Sequence, residues 1–477
     1  MINQSLVLMF FFLCYSWTVK AQVGFERTYG DLQDDNGYSV ELTADSGYIL
    51  VGSTKSYATT GIDIYLVKVN KMGDTIWTRN YDNGADEIGY AVQQIDNNEY
   101  ILAGYKYPYP YQLILINTDS LGNELWKKEY ELSGFHSPYG KASVQKTNDN
   151  GFILLGDEAF NYYLIKTDSV GDTLWTKRYV RNPTLFEDMS TFKVRQTSDN
   201  GYMLFGGHGN YLPSVLAGCM YAIKTDSIGD TLWTKSFGPC YSTGEMYIGR
   251  DIEETTNKGF VLVGSEKNSF MGDLTHRYKI DSSGNLIWSK LDYGMFGHSV
   301  SQTVDDGFIF LGERWNWTQI DLYCMRTDSL GDTLWTKTFG GTSYDVGYSV
   351  RQTTDNGFIL LGSTNSFNNG SSYMYLIKID SMGHVLSLFE NTPSMAREKI
   401  LISPNPFYSS TVIEFDNPMM IEHELILYNS TGQLIRKIRN IEPQSVKIER
   451  GNLISGLYYF QLVNDKKNVG SGKLIIE

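Results

Sequence analysis

Cysteine is scarce in this chain, with 4 residues among 477. Cys14 lies in an apolar N-terminal segment, which leaves Cys219, Cys240 and Cys324 for the rest of the protein. An odd number of cysteines without CxxC spacing excludes a disulfide framework and gives no support to a thiolate metal site. We therefore expect buried thiols, with one Cys219–Cys240 disulfide as the alternative, because those two residues are nearest in sequence.

Clustered positive charge and long apolar runs are also lacking. Lys and Arg total 40 against 54 Asp and Glu, a net charge of −14, so we expect no nucleic-acid partner. The apolar run Leu6–Leu13 is too short to span a bilayer, and small residues in Val19-Lys20-Ala21 suit signal peptidase. The sequence thus predicts a secretory signal peptide at residues 1–21 and no transmembrane segment in the mature chain. A lipoprotein signal at Cys14 is less favoured, because Phe12-Leu13 supplies no small residue before it.

The chain is rich in glycine and tyrosine, and it repeats itself. A Gly-aromatic-Ile-Leu-x-Gly phrase occurs, with variations, at Gly47–Gly52, Glu99–Gly104 (degenerate), Gly151–Gly156, Gly201–Gly206, Gly259–Gly264, Gly307–Gly312 and Gly357–Gly362. A second phrase of the type Thr-Asp-Ser-x-Gly-Asp-Thr-Leu-Trp follows each copy, as in Thr167–Trp175. Gly and Asn tolerate positive φ, and Asp caps backbone N–H groups, so both phrases predict β-hairpin turns.

Each repeat of roughly fifty residues predicts four short antiparallel strands. In the last repeat these strands are expected at Tyr348–Thr353, Phe358–Leu361, Tyr373–Ile379 and Val385–Phe389. One such sheet cannot bury its apolar faces alone, so consecutive sheets must stack. Seven sheets around an axis predict an all-β, seven-bladed β-propeller, and matching chain ends favour it over an open solenoid.

The outermost strand of each repeat carries a tryptophan that we expect to pack between blades. These tryptophans are Trp77, Trp126, Trp175, Trp233, Trp288 and Trp335, and Ser387 stands in the seventh position. Phe25–Gly30 matches Trp335–Gly340 in sequence. The N-terminal segment is therefore expected to complete the outer edge of the last blade, near Val385–Phe389.

Four-stranded blades place the first and third turns on one face and the other loops on the opposite face. The turns are uniform between repeats, whereas the loops vary in length and chemistry, so the variable face is the predicted binding face. Its aromatic and cationic residues suit a sugar ring or an extended peptide. The candidate ligand-binding residues are Tyr107, Tyr109, Arg314, Trp315 and Trp317. The alternative is that these rings pack the loops onto the blades.

No catalytic residue, metal or cofactor is predicted. Histidines are scattered and there is no Gly-x-Ser-x-Gly elbow. Acids do recur before the first strands and in the third turns, where turn capping accounts for them better than metal ligation. They are Asp34, Asp35, Asp86, Glu87 and Asp345, and then Asp119, Asp168, Asp226 and Asp328. A carboxylate pair that cleaves polysaccharide stays an open alternative.

The repeat stops near Ile400, where six strand-like runs predict a small β-sandwich. Its motifs include Pro404-Asn405-Pro406, a Tyr-Asn-Ser-Thr-Gly turn ending at Gly432, Gly456 with Tyr458, and Gly472-Lys473. These motifs, in this order, resemble the C-terminal sorting domain of Bacteroidota type IX secretion cargo. The resemblance implies contact with the type IX machinery and export from the periplasm to the surface or the medium.

The sequence thus predicts a signal peptide (1–21), a propeller (22–391), a linker (392–399) and a sorting domain (400–477). The favoured function is a secreted or surface-attached binding module that recognises a glycan or a protein. A polysaccharide hydrolase or lyase and a structural adhesin are the alternatives.

Overall fold

The protein is described from a computed structural model. The described residues are 24–58, 61–82, 84–107, 111–132, 141–158, 161–180, 188–212, 215–238, 245–268, 272–316, 318–367, 370–385, 401–415, 422–429, 434–441, 444–464 and 467–477. They belong to two compact units, one within Val23–Glu398 and one within Lys399–Glu477.

The first unit consists of short antiparallel strands that alternate with tight turns, as the repeat predicts. In chain order they are β1 Phe25–Tyr29, β2 Asp35–Leu42, β3 Tyr48–Thr54, β4 Asp63–Val69, β5 Thr75–Tyr81, β6 Asp86–Gln94, β7 Tyr100–Tyr107, β8 Gln112–Thr118, β9 Glu124–Glu131, β10 Ser143–Lys146, β11 Phe152–Glu158, β12 Asn161–Thr167, β13 Thr173–Tyr179, β14 Asp188–Gln196, β15 Tyr202–Leu212, β16 Val215–Thr225, β17 Thr231–Phe237, β18 Glu245–Glu254, β19 Phe260–Asn268, β20 Gly272–Ile280, β21 Leu286–Tyr293, β22 Met295–Gln302, β23 Phe308–Trp315, β24 Ile320–Thr327, β25 Thr333–Phe339, β26 Asp345–Gln352, β27 Phe358–Thr364 and β28 Tyr373–Ile379. A single 3₁₀ turn, Asp96–Asn98, is the one helical element among the described residues.

These strands form seven four-stranded blades, which confirms the predicted propeller. Blades 1 to 6 are consecutive meanders, from β2–β5 in blade 1 to β22–β25 in blade 6. Blade 7 has the order β26-β27-β28-β1, so its outermost strand comes from the N-terminus. A single parallel bridge between Ala217 and Glu245 also connects blades 4 and 5.

β1, and not the predicted strand Val385–Phe389, is the strand next to β28 at the outer edge of blade 7. β1 pairs with β28 there in antiparallel register, with Phe25 opposite Lys378. Trp335 lies opposite Arg326 in the same register of blade 6, so Phe25, and not Ser387, takes the place of the seventh tryptophan. Val385 lies outside any strand, and 386–389 lie outside the described residues. A sheet edge accepts one partner, and β1 already occupies it.

Hydrophobic side chains form one core cluster at each of the seven blade interfaces. The ring-closing cluster joins blades 7 and 1 through Leu361 and Met374 on one side and Val40 and Leu50 on the other, all fully buried. Burial of such side chains contributes about 1.5–3 kcal/mol each relative to exposure. Each blade therefore depends on both of its neighbours for most of its core.

The repeated aromatic, glycine and tryptophan residues meet at these interfaces. The ring of Trp77 lies 5.9 Å from that of Tyr100 in the next blade, and a Cβ at Gly122 would lie 2.6 Å from the Trp77 ring. Gly122 also has φ +76°, which disfavours any side chain. Phe25 repeats the arrangement at the ring closure, since its ring lies 6.3 Å from that of Tyr48.

The second unit is a two-sheet β-sandwich, as predicted. Its strands are β29 Leu401–Ser403, β30 Ser410–Glu414, β31 His423–Asn429, β32 Leu434–Ile441, β33 Ser445–Glu449, β34 Gly456–Asn464 and β35 Lys467–Ile476. One sheet has the order β29-β30-β33 and the other β32-β31-β34-β35. Side chains from both, including Ile413, Ile448, Leu425 and Phe460, form a separate buried core.

We expect Phe25→Ala to lower the free energy of unfolding of the propeller by about 3–5 kcal/mol, because it removes a buried ring from the ring closure. Chemical denaturation followed by tryptophan fluorescence measures the change. Leu32→Ala is the matched control, since Leu32 is 82% exposed next to the same strand and should change stability by about 0.5 kcal/mol or less. Equal stability of the two variants would contradict closure through β1.

Candidate functional site

The face with the first and third turns is occupied by structural hydrogen bonds. Asp119 Oδ1 accepts the N–H groups of Leu121 and Asn123, both at 2.8 Å. Asp168, Asp226 and Asp328 accept the equivalent pairs of N–H groups in their own turns. The turn-capping role predicted for these four acids is confirmed.

In the first turns the acids cap a backbone N–H and also form an ion pair. Asp45 accepts the N–H of Gly47 at 3.0 Å, and its other oxygen lies 2.8 Å from the ammonium of Lys68 on the third strand of the same blade. The same ion pair recurs as Asp149–Lys166, Asp199–Lys224, Asp305–Arg326 and Asp355–Lys378. The uniform face is thus built from residues that already bond to each other.

On the opposite, variable face, the structure places the predicted ligand-binding residues differently. Trp315 ends β23 with 53% of its surface exposed, and the Arg314 guanidinium lies 5.3 Å above the Tyr323 ring. Tyr107 is half-buried and packs against Tyr105 and Tyr111, so this ring fits the alternative that the loop aromatics pack onto the blades. Burial raises the pKa of its hydroxyl. Trp317 and Tyr109 lie outside the described residues.

Polar groups surround Trp315 in a fixed arrangement. The Asn316 and Gln319 side-chain amides donate to Asp321 at 2.9 and 2.7 Å. Gln319 Nε2 also donates to the Gly341 carbonyl at 2.7 Å, which ties blade 6 to its connection with blade 7. An exposed indole beside oriented amide and carboxylate groups is a surface on which a ligand ring can stack while its hydroxyls form hydrogen bonds.

Further exposed rings, which the sequence analysis did not single out, extend this surface into blades 7 and 1. Tyr344 is 61% exposed, forms a bridge with Ile320 and accepts the N–H of Asn365 at 2.8 Å through its carbonyl. Phe367 and Tyr57 are also exposed. We define the aromatic rim as Trp315, Tyr344, Phe367 and Tyr57. Comparison of loop sequences between repeats could have found it, because Tyr344, Phe367 and Tyr57 lie in the variable loops and Trp315 ends the strand before one.

A small cavity, the channel cavity, lies at the middle of the ring, and a repeated β-bulge supplies much of its lining. The ladder between the first and second strands skips one residue in six blades, for example between Gly37 and Ser39. A bulge re-aims the extra side chain. Five of the skipped residues line the channel cavity: Tyr38, Tyr90, Arg250, His298 and Tyr348.

Lys141 projects among these rings, with its ammonium 4.4 Å from the Tyr348 centroid and 5.2 Å from that of Tyr38. Burial, followed by the charge of Arg250, lowers the pKa of Lys141 to about 7, and burial lowers the pKa of His298 to about 4. The cavity measures about 50 Å³, which is room for water and too little for a sugar ring. The channel therefore does not compete with the aromatic rim as a binding site.

The C-terminal unit brings its predicted motif residues together. The Asn405 amide donates to the Lys473 carbonyl and accepts the Ile475 N–H, both at 2.8 Å, so the Pro404-Asn405-Pro406 motif bonds directly to the last strand. A Cβ at Gly472 would lie 2.6 Å from the Phe460 ring, and Tyr458 is buried opposite Leu474. Gly456 has φ +150°, and Gly432 lies outside the described residues.

Residues 401–477 match the family described as the secretion system C-terminal sorting domain. The C-terminal unit is therefore a sorting domain of this family, which indicates export to the cell surface or secretion, and the other unit of the chain is a β-propeller. No curated protein matches the chain. Among the described residues, no helix has the length and apolar character needed to cross a membrane.

Several solved structures are similar to the chain at low identity. The BP39L lectin from Burkholderia pseudomallei is 7% identical, covers 74% of this chain and 98% of its own, and has a TM-score of 0.48. The Dos1 propeller is 10% identical, with coverage of 73% and 95% and a TM-score of 0.44. A protein of unknown function from Bacteroides caccae is 10% identical, with coverage of 61% and 94% and a TM-score of 0.36. At these scores the similarity carries no information about ligand or activity.

We expect the propeller's free energy of unfolding to rise more steeply with pH between about 7 and 10 than that of a Lys141→Met variant. The Lys141 ammonium keeps its proton up to about pH 10.4 in the unfolded chain but releases it near pH 7 in the folded chain. Because the unfolded state binds more protons between these values, raising the pH favours folding. Denaturation at a series of pH values measures both slopes. Lys71→Met, at an exposed lysine, is the control, and parallel curves for wild type and Lys141→Met would contradict the lowered pKa.

Proposed function

We propose that this protein is an exported binding module that recognises a glycan or a protein through the aromatic rim of its propeller. The observation that carries the proposal is the solvent exposure of Trp315 and Tyr344 in adjacent loops of the variable face. Exposed aromatic residues gathered on one surface mark interaction sites more often than isolated ones do. Of the other residues predicted from sequence, Arg314 precedes Trp315 at the end of β23, and Trp317 follows it by two positions in the sequence, outside the described residues.

The rim suits a carbohydrate because it offers flat rings next to fixed polar groups. Asp321 accepts from both Asn316 and Gln319, so its carboxylate is held in one orientation by neutral donors. A carboxylate oriented in this way can accept further hydrogen bonds from ligand hydroxyls. Fixed acceptors beside flat rings favour binding as the function of this surface.

The export route follows from the C-terminal unit. The sorting domain directs the chain to the type IX secretion machinery, and we propose that the signal peptide at 1–21 first carries the chain into the periplasm. We propose the domain bounds 22–391 for the propeller, 392–399 for a linker and 400–477 for the sorting domain. The separate cores of the two units support this division.

We expect a Trp315→Ala, Trp317→Ala double variant to lose about tenfold or more in affinity on a glycan array, since stacking on an aromatic ring contributes about 0.5–1.5 kcal/mol per ring. Leu334→Ala is the matched control, because Leu334 lies on the outer strand of the same blade and is 59% exposed, against 53% for Trp315. Binding that is indifferent to both tryptophans would count against the rim. Turnover of a polysaccharide by the wild-type protein would favour an enzyme instead.

We expect deletion of 400–477 to leave a folded propeller in the periplasm, because the first unit keeps all seven of its interface cores. Cell fractionation with immunoblotting locates the protein, and protease resistance of the periplasmic form checks its folding. The full-length chain expressed in the same cells is the control. Normal export of the truncated chain would show that the tail is not its sorting signal.

A further inference from the structure

Three carboxylates meet where blades 1 and 2 adjoin on the variable face. Asp63 is the first residue of β4, Glu87 is the second residue of β6, and Asp82 lies in the connection between β5 and β6. One carboxylate oxygen from each residue lies within 4.8 Å of the other two. Asp63 and Glu87 are fully buried, whereas Asp82 is exposed, so the cluster is reached from solvent at Asp82.

The buried carboxylate of Asp63 is incompletely satisfied. Its Oδ2 accepts from the Asn80 side-chain amide at 3.1 Å. Its Oδ1 is buried and has no hydrogen-bond partner among the described residues. A buried, ionised oxygen is costly unless a donor or a cation pairs with it, and a second buried carboxylate nearby raises that cost.

The same chain contains a matched acid pair between blades 6 and 7 that is satisfied by neutral donors. Asp321 and Asp345 occupy the positions of Asp63 and Glu87, since each lies two residues before the corresponding Tyr or Gly of its strand. Asp321 receives the two amide hydrogen bonds from Asn316 and Gln319 described above. Asp345 accepts from the Thr364 and Ser366 hydroxyls and, at 2.9 Å, from the Gly341 N–H.

The residues next to the acids differ in blades 1 and 2, while the acids are kept. Gly61 stands two residues before Asp63, where Gln319 stands before Asp321. Lys106 lies opposite Glu87 in the ladder, where Thr364 lies opposite Asp345, and its ammonium lies 3.7 Å from Glu129. Asp63 accepts from one side-chain amide, that of Asn80, where Asp321 accepts from two, and a third acid, Asp82, lies beside it. A cation next to the buried Asp63 oxygen would take the place of the missing donor.

We propose that Asp63, Asp82 and Glu87 bind a divalent cation, and that calcium is the ion. All three ligands are carboxylate oxygens, without nitrogen or sulfur, which selects a hard cation. Oxygens that each lie about 2.3–2.6 Å from one calcium ion are at most about 5 Å apart, which the observed separations satisfy. Calcium also tolerates the irregular coordination of a strand end and a loop better than magnesium does.

The ion would fix the connection between the first two blades. The Glu87 N–H donates to the Ile62 carbonyl at 2.6 Å, and the Ile62 N–H donates to Asp86 Oδ1 at 3.0 Å. Asn80, which bonds to Asp63, also donates to the Tyr57 carbonyl at 3.0 Å. Calcium at this position therefore stabilises the loop that carries Tyr57 of the aromatic rim. The inference stands on the acid cluster and does not require that the rim binds a glycan.

Calcium binding is tested on the intact mature chain after treatment with a chelator. Isothermal titration with calcium should show one site, with a dissociation constant of about 10⁻⁴–10⁻³ M or tighter, as in extracellular modules. Asp63→Asn and Glu87→Gln keep the side-chain sizes and should each weaken binding at least tenfold. Asp321→Asn is the matched control and should leave the calcium affinity unchanged.

Two further results decide the matter if a buried variant fails to fold. Asp82→Asn, at an exposed residue outside the strands, should fold and still weaken binding about tenfold. The thermal midpoint of the wild type should rise with calcium, and that of Asp82→Asn should rise less. Absence of heat and of a thermal shift up to 10 mM calcium would overturn the proposal, as would equal weakening by Asp321→Asn or tighter binding of magnesium than of calcium.

Discussion

The structure depends on the contact between the outermost strand of one blade and the turns of the next. A four-stranded sheet of this size has two apolar faces and is not stable alone, so each blade must be covered on both sides. The aromatic ring at Trp77 and its counterparts packs against an aromatic of the next blade and over a turn glycine such as Gly122, which leaves no room for a side chain. At the ring closure Phe25 makes the same contact with Tyr48 and Gly73.

This constraint explains why the two faces of the propeller differ. The turns of the uniform face serve the packing and bond among themselves, as Asp45 does with Lys68. Ion pairs such as Lys128–Asp172 then link the outer strand of one blade to the third turn of the next. The loops of the variable face do not have to form these packing contacts, and they carry the exposed rings and the acid cluster. A scaffold that is fixed on one face can vary the other without loss of its core.

The fold could be predicted from the sequence because each repeat carries Gly, Asn and Asp residues that indicate its turns. Blade number, strand order and the sandwich at the C-terminus all follow from hairpin signals and spacing. The last blade was harder, since Val385–Phe389 and β1 are both plausible fourth strands locally, and only long-range pairing with β28 distinguishes them. The match between Phe25–Gly30 and Trp335–Gly340 indicated the right partner.

The candidate site could be predicted only in part. Trp315 was found because two tryptophans stand close together in one loop, but Tyr344 and Phe367 join it through contacts between loops of different blades. The sequence predicts Tyr107 as a ligand-binding aromatic in the same way as Trp315, yet Tyr107 packs into a core with Tyr105 and Tyr111. The channel lining was not predicted because a bulge reverses the direction of one side chain per strand. The difference between Asp63 and Asp321 depends on amide donors that only the structure brings near them.

The most direct test of this account is hydrogen–deuterium exchange of the intact chain, read by mass spectrometry on the peptide that contains Phe25–Tyr29. If β1 is the fourth strand of blade 7, its amides exchange as slowly as those of the other outermost strands, such as Thr333–Phe339. Rapid exchange of Phe25–Tyr29 beside a protected β28 would contradict the closed ring on which the account rests.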